Sequence, residues 1–138
     1  MSQENVEVVK AGYAAWNAGD MDAFRDLHDP EVIARSAEGW PEPGPFVGRE
    51  AVMREWEQVR DAWKGVLEPI SDFIEAGDRV AVRHIWRVAG KGPEVNLEIT
   101  NVLMLRKGKI VYQEFFWDHA EAVEALGLSE EGVTAESP

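Results

Sequence analysis

Residues 79–117 read RVAVRHIWRVAGKGPEVNLEITNVLMLRKGKIVYQEFFW. Three runs of alternating apolar and polar residues, 79–88, 95–105 and 109–117, are separated by Gly90-Lys91-Gly92-Pro93 and Lys107-Gly108, both fit for hairpins. Alternation of period two marks a strand with one buried face, so these runs predict an antiparallel meander. A fourth run, Leu67–Glu75, joins it across the turn Gly77-Asp78.

Upstream of the meander the period becomes helical. Val6, Val9, Tyr13 and Trp16 form one stripe, ended by Asn17-Ala18-Gly19-Asp20, in which Gly19 suits a left-handed cap and Asp20 can cap the next helix. A short second helix from Asp20 to about His28 carries Met21, Phe24 and Leu27 and is stopped by Pro30. Glu31–Ser36 reads as a short strand. Residues 37–47, with Gly39, Pro41, Pro43, Gly44 and Pro45, read as a loop bearing Trp40 and Phe46. Gly48 opens a third helix with Val52, Trp56, Val59 and Trp63 on one face. A last short helix holds Ala120, Val123 and Leu126 and closes at Gly127. The expected fold is α+β, one domain over residues 1–128: three helices packed on the concave face of a curved antiparallel sheet. Residues 129–138 read as a flexible acidic tail.

The chain has 138 residues, enough to bury a core without staples, with 45% hydrophobic and 29% charged residues. Fourteen Lys and Arg against 26 Asp and Glu leave a formal charge of −12. That balance argues against nucleic acid and anionic membrane surfaces as partners. With no cysteine, disulfides, thiolate nucleophiles and zinc–sulfur sites are excluded. The opening Met1-Ser2-Gln3-Glu4-Asn5 has no basic segment followed by an apolar run, so no signal peptide is expected and the location expected is cytoplasmic.

Alternation also says which side chains face inward. Val95, Leu97, Ile99, Leu103 and Leu105 share a parity whose only polar member is Asn101. Burying Arg83 and Arg87 is costly, which leaves Val82, His84, Trp86 and Val88 inside. The same reasoning puts Gln113, Phe115 and Trp117 inside in the last strand, and Val32, Ala34 and Ser36 inside in the first. The predicted interior is an apolar, aromatic pocket. Trp16, Trp40, Trp86, Leu103, Phe115 and Trp117 are its walls, Gln113 is one of its polar points, and Trp40 sits on a mouth loop. His84 is the best candidate for proton transfer, because only His titrates near neutral pH without a large shift. Asn101 is the candidate donor to a substrate carbonyl, assisted by Tyr13 or Ser36. His28 and His119, at helix ends, are expected to be exposed caps. No cofactor is called for, and no metal site, since no His/Asp/Glu cluster has ligand spacing on one face.

The order of elements, with Asn17-Ala18-Gly19-Asp20, Asp29-Pro30-Glu31-Val32, Phe46-Val47-Gly48-Arg49-Glu50-Ala51-Val52, Ala76-Gly77-Asp78-Arg79-Val80, Gly108-Lys109-Ile110-Val111 and Ala122-Val123-Glu124-Ala125-Leu126-Gly127-Leu128, resembles the nuclear-transport-factor-2-like superfamily. Within it the chain is most similar to the SnoaL-like proteins, relatives of ketosteroid isomerase, over residues 3–128. The resemblance implies a cone-shaped sheet around a pocket closed by helices. It also implies a homodimer through the outer sheet face, where Val102, Met104, Tyr112 and Phe116 lie. The fold hosts isomerases, dehydratases, cyclases, epoxide hydrolases and non-catalytic modules. The ketosteroid isomerase set is incomplete here. Alignment puts Ser36 at the base position, Asn101 at the acidic donor and Gly12 at the tyrosine, with Tyr13 one residue away. No inward carboxylate or arginine supplies the epoxide hydrolase set. Three functions therefore stay open: a cofactor-free acid/base enzyme on an apolar carbonyl, polyketide or terpenoid-like compound; a non-catalytic carrier of a small apolar ligand; and a dimeric scaffold.

Overall fold

The computed structural model describes residues 2–37, 39–40, 44–62, 65–70, 73–88 and 95–125. Trp63, the Gly90–Pro93 turn, the Leu126-Gly127 helix end and the acidic tail lie outside them. The chain runs α1 (Ser2–Ala18), α2 (Met21–Asp26), β1 (His28–Arg35), β2 (Phe46–Val47), α3 (Arg49–Ala62), β3 (Gly65–Pro69), β4 (Ile74–Ala76), β5 (Arg79–Val88), β6 (Val95–Arg106), β7 (Lys109–Phe116) and α4 (His119–Ala125). The sheet is curved and unclosed, ordered β2-β1-β7-β6-β5-β3, with β4 pairing the near end of β5.

The joint between the first two helices follows from four residues. Gly19, at φ +76°, ends α1 with paired bonds, Gly19 N to Trp16 O (3.1 Å) and Asp20 N to Ala15 O (2.9 Å). Asp20 then accepts from Ala23 N at 3.1 Å and starts α2. Asn17 turns outward to the sheet edge. Its amide exchanges two 2.8 Å hydrogen bonds with the backbone of Leu67, so α1 stands in for a missing strand beside β3.

Strand parity holds. Val80, Val82, His84 and Trp86 of β5 and Ile99, Asn101, Leu103 and Leu105 of β6 are all buried on the face that carries the main core. Val9, Tyr13 and Trp16 of α1, Phe24 of α2 and Val52, Met53 and Trp56 of α3 pack against that face. Along β7 the register slips between Met104 and Leu105. Ile110 pairs with Leu105 and Tyr112 with Met104, so one extra residue lets both Ile110 and Gln113 face inward.

Several boundaries differ from the sequence reading. The second helix stops at Asp26, and the first strand begins at His28, three residues before Glu31. The run Leu67–Glu75 divides into β3 and β4, which pair different halves of β5. The loop 37–47 ends in a two-residue strand, β2, beside β1. One pairing, β1 with β7, is parallel, while every other is antiparallel.

The outer face is partly covered within the chain. Ala122 of α4 is fully buried against Ala81 and Val102, with Ile74, Ala76 and Phe116 around them. Val102 and Phe116, two of the residues read as a dimer face, therefore already have an intramolecular cover. The outward charges pair across strands, Arg83 with Glu98 at 2.6 Å and Arg87 with Glu68 at 2.5 Å. His119, expected as an exposed cap, is half-buried and shares a 3.1 Å hydrogen bond with Thr100 Oγ1.

Because Ala122 has no room around it, Ala122→Leu overpacks the α4 seat and costs about 1–3 kcal/mol. Glu121→Ala, on the exposed side of the same turn, stays within about 0.5 kcal/mol. Urea unfolding of both variants checks the contrast.

Candidate functional site

Between the helices and the inner sheet face lies a cavity of about 90 Å³, measured as room for the centres of water molecules. That is well below the ~300–1,000 Å³ typical of pockets for drug-sized ligands, so the site as it stands admits only a compact molecule. Its walls come from α1, α2, α3 and five strands. The structure brings together there every residue the sequence singled out: Tyr13, Trp16, Ser36, Trp40, His84, Trp86, Asn101, Leu103, Gln113, Phe115 and Trp117. None of the described lining residues is Asp, Glu, Lys or Arg. The wall is thus apolar and uncharged, with a few polar groups, the usual make-up of a small-molecule site.

The aromatic residues divide by depth. Trp16 and Trp86 are buried, whereas Trp117, read as an inward wall residue, is 45% exposed. It follows the end of β7 and lies 6.4 Å, ring to ring, from Trp40, which is itself 6.1 Å from Trp86. Trp40 and Trp117 form the mouth. Ser36, just past β1, is half-buried on the wall.

Four polar side chains from four elements form one hydrogen-bonded line. Gln113 Nε2 donates to Asn101 Oδ1 at 3.2 Å, and Asn101 Nδ2 donates to the Tyr13 hydroxyl at 3.4 Å. The phenol, having accepted from Asn101, gives its own proton to His84 Nδ1 at 2.6 Å. With the phenol as donor, neutral His84 carries its remaining proton on Nε2. Burial holds His84 at about 4, well below the ordinary imidazole value, so it is neutral at pH 7. Burial drives the Tyr13 phenol far above its ordinary value, against a smaller opposing effect of the Asn101 bond. Asn101, read from sequence as a direct carbonyl donor, gives one N–H to Tyr13 and accepts from Gln113, which leaves its second N–H outside this line. It positions the phenol.

The sequence reading missed His28. Far from being an exposed cap, it is 0% exposed and lines the cavity. Its Nδ1 donates to Phe24 O at 2.8 Å, and its ring lies 4.8 Å from that of Phe24. Burial first, with the Arg49 guanidinium adding to it, lowers it to about 4 against the opposing Phe24 bond. Alternation from Val32 and Ala34 does not carry back to it, because the register of β1 on β7 is irregular between His28 and Ile33 and Pro30 is exposed. Ending the helix at Pro30 hid it. Trp56, Phe24, Ile99 and Ile110 are further wall residues that the sequence reading did not assign to the site.

Among the described residues no group of three or more His, Asp or Glu side chains is placed to hold a metal ion. No helix among them is long and apolar enough to cross a membrane.

The profile of the SnoaL-like domain family matches residues 9–113. No curated protein matches the chain. Among solved structures, TerC co-crystallised with polyporic acid superposes with TM-score 0.74 at 26% identity, covering 90% of this chain and 98% of that one. An NTF2-like protein of unknown function from Burkholderia pseudomallei gives 0.74 at 25%, covering 89% and 97%. A Pseudomonas putida protein named for polyketide cyclase activity gives 0.67 at 25%, covering 87% and 96%.

The two depressed histidines make stability pH-dependent. With folded values of about 4 against 6.5 unfolded, the unfolded chain binds more protons between those limits. Their contribution is complete above pH 6.5 and is lost as pH falls toward 4. At pH 4.5 each costs about 2–3 kcal/mol relative to pH 7. The pH 7-to-4.5 loss of unfolding free energy, measured in urea, should shrink by about that amount in His84→Gln and again in His28→Phe.

Proposed function

This chain belongs to the SnoaL-like domain family, and from the chemistry of its pocket we propose that it is a cofactor-free acid/base enzyme acting on an apolar carbonyl compound of polyketide or terpenoid type. The observation that carries the reading is the 2.6 Å Tyr13–His84 bond, which with the phenol as donor leaves the His84 Nε2 proton for a ligand on a wall whose described residues are neither acidic nor basic apart from histidine. A neutral imidazole is a fitting donor to a carbonyl oxygen. It stabilises negative charge developing on that oxygen, and its low basicity keeps it from charging first. Polarising the carbonyl acidifies the neighbouring C–H, so the compound enolises more readily, the carbon proton passing to water while His84 Nε2–H donates to the oxygen. Isomerisation, cyclisation and dehydration each can pass through that enol. The polyporic acid bound by TerC and the cyclase name of the Pseudomonas putida neighbour support an oxygenated, unsaturated ligand.

A second reading, a non-catalytic carrier, draws on the lack of any carboxylate among the described residues of the cavity wall, none of which is a strong base for the proton leaving carbon. The homodimer through the uncovered part of the outer face, around Met104 and Tyr112, belongs to the same proposal under either reading.

Deuterium wash-in at the α-carbon of benzoylacetone, followed by NMR in D2O, separates the two. An enzyme accelerates exchange over buffer, His84→Gln lowers the rate about 10²-fold or more, and Tyr13→Phe lowers it less, about tenfold. Saturable quenching of tryptophan fluorescence by benzoylacetone without accelerated exchange would establish the carrier.

A further inference from the structure

Five buried polar atoms on the cavity wall have no hydrogen-bond partner among the described residues: the indole N–H groups of Trp16, Trp56 and Trp86, Gln113 Oε1 and His28 Nε2. Partnerless buried polar groups cost free energy, so a cluster of them around one cavity points to something that completes them there. His28 is the most constrained. Its Nδ1–H is held by the Phe24 carbonyl, so its Nε2 is a bare lone pair that can only accept. The ring cannot readily answer by taking up a second proton, because it is wholly buried and Arg49 donates from the other side to its own carbonyl at 3.3 Å.

We propose that His28 Nε2 accepts a hydrogen bond from a hydroxyl group of the ligand at the closed end of the cavity, which selects a neutral, hydroxylated, planar compound. This rests on the small-molecule reading of the same pocket and adds a second pole to it. Near the mouth, Trp40, Trp86 and Trp117 present ring surface. At the wall, His84 Nε2–H meets a ligand acceptor. At the closed end, His28 meets a ligand donor. The selection follows from charge and hydrogen-bonding sense. A carboxylate or phenolate brings no proton to the His28 Nε2 lone pair and sets its own lone pairs against it, and the nearby Arg49 guanidinium is not among the described residues that line the cavity. A hydrocarbon would leave the lone pair dry and unpaired. His28 is a specificity residue in this account, and nothing in it requires proton transfer.

The test compares 2-naphthol with 2-methoxynaphthalene, which keeps the ring and the oxygen but cannot donate. Calorimetric titration of the wild-type protein should show 2-naphthol binding about tenfold more tightly. In His28→Phe that preference should collapse to about twofold or less, with 2-methoxynaphthalene binding as before. A readout that needs no variant is the ¹⁵N resonance of His28 Nε2 in the wild-type protein. It should move on addition of 2-naphthol and stay put with 2-methoxynaphthalene. Equal affinity of the two compounds for the wild type, a preference that survives His28→Phe, or an unmoved His28 resonance on naphthol binding would each overturn the assignment while leaving the pocket reading standing. Binding of neither compound would overturn the small-molecule reading and this inference with it.

Discussion

A phenol and an imidazole, 71 residues apart in sequence, meet at 2.6 Å inside an apolar cavity. The constraint behind that meeting organises the site. Polar groups placed on the inner face of a curved sheet have lost water, so each must find a partner or carry the cost of having none. Tyr13 can supply His84 only because α1 crosses the sheet at that height. The crossing is held by Asn17 at the β3 edge and by the Gly19 turn that hands the chain to α2. Asn101 and Gln113 extend the same line along neighbouring strands and set the direction of every proton in it. The helix cover, the tautomer of His84 and the shape of the wall are therefore one arrangement.

That line accounts for some polar atoms of the cavity and leaves others unserved. The three unpartnered indoles, Gln113 Oε1 and His28 Nε2 border the same space. A pocket whose purpose was only to be filled would have little use for donors and acceptors of both senses around an open volume. The outer face shows the opposite solution. There α4 seats Ala122 on Ala81 and Val102, and arginines pair with glutamates across strands. One sheet thus has a finished side and a side with unfinished hydrogen bonding.

Much of this was legible in the sequence because a strand has a period of two. Once Arg83 and Arg87 were placed outside, His84 and Trp86 had to be inside, and the isolated Asn101 in its apolar row followed from the same rule. The rule failed where an element boundary was misplaced. His28 was assigned to the end of a helix on the strength of Pro30, yet it opens β1, and the irregular register between it and Ile33 breaks the alternation from Val32 and Ala34. Trp117 was put inside by parity, but the strand ends at Phe116, and beyond it parity no longer orients a side chain. The extra residue in β7 that turns both Ile110 and Gln113 inward has no signature in apolar alternation alone.

The sequence by itself determined the α+β class, the order of the long helices and strands, the inward faces of β5 and β6 and the eleven residues that share the cavity. All of these depend on local period and on the cost of burying charge, which neighbours along the chain reveal. Only the tertiary structure decided which inward groups bond to one another. It joined Asn101 to Tyr13, buried His28 with a bare nitrogen, moved Trp117 to the mouth and put α4 over part of the outer face. Those outcomes depend on distances between segments far apart in the chain, and hydrogen bonds form or fail over tenths of an ångström that no pattern of residue types encodes.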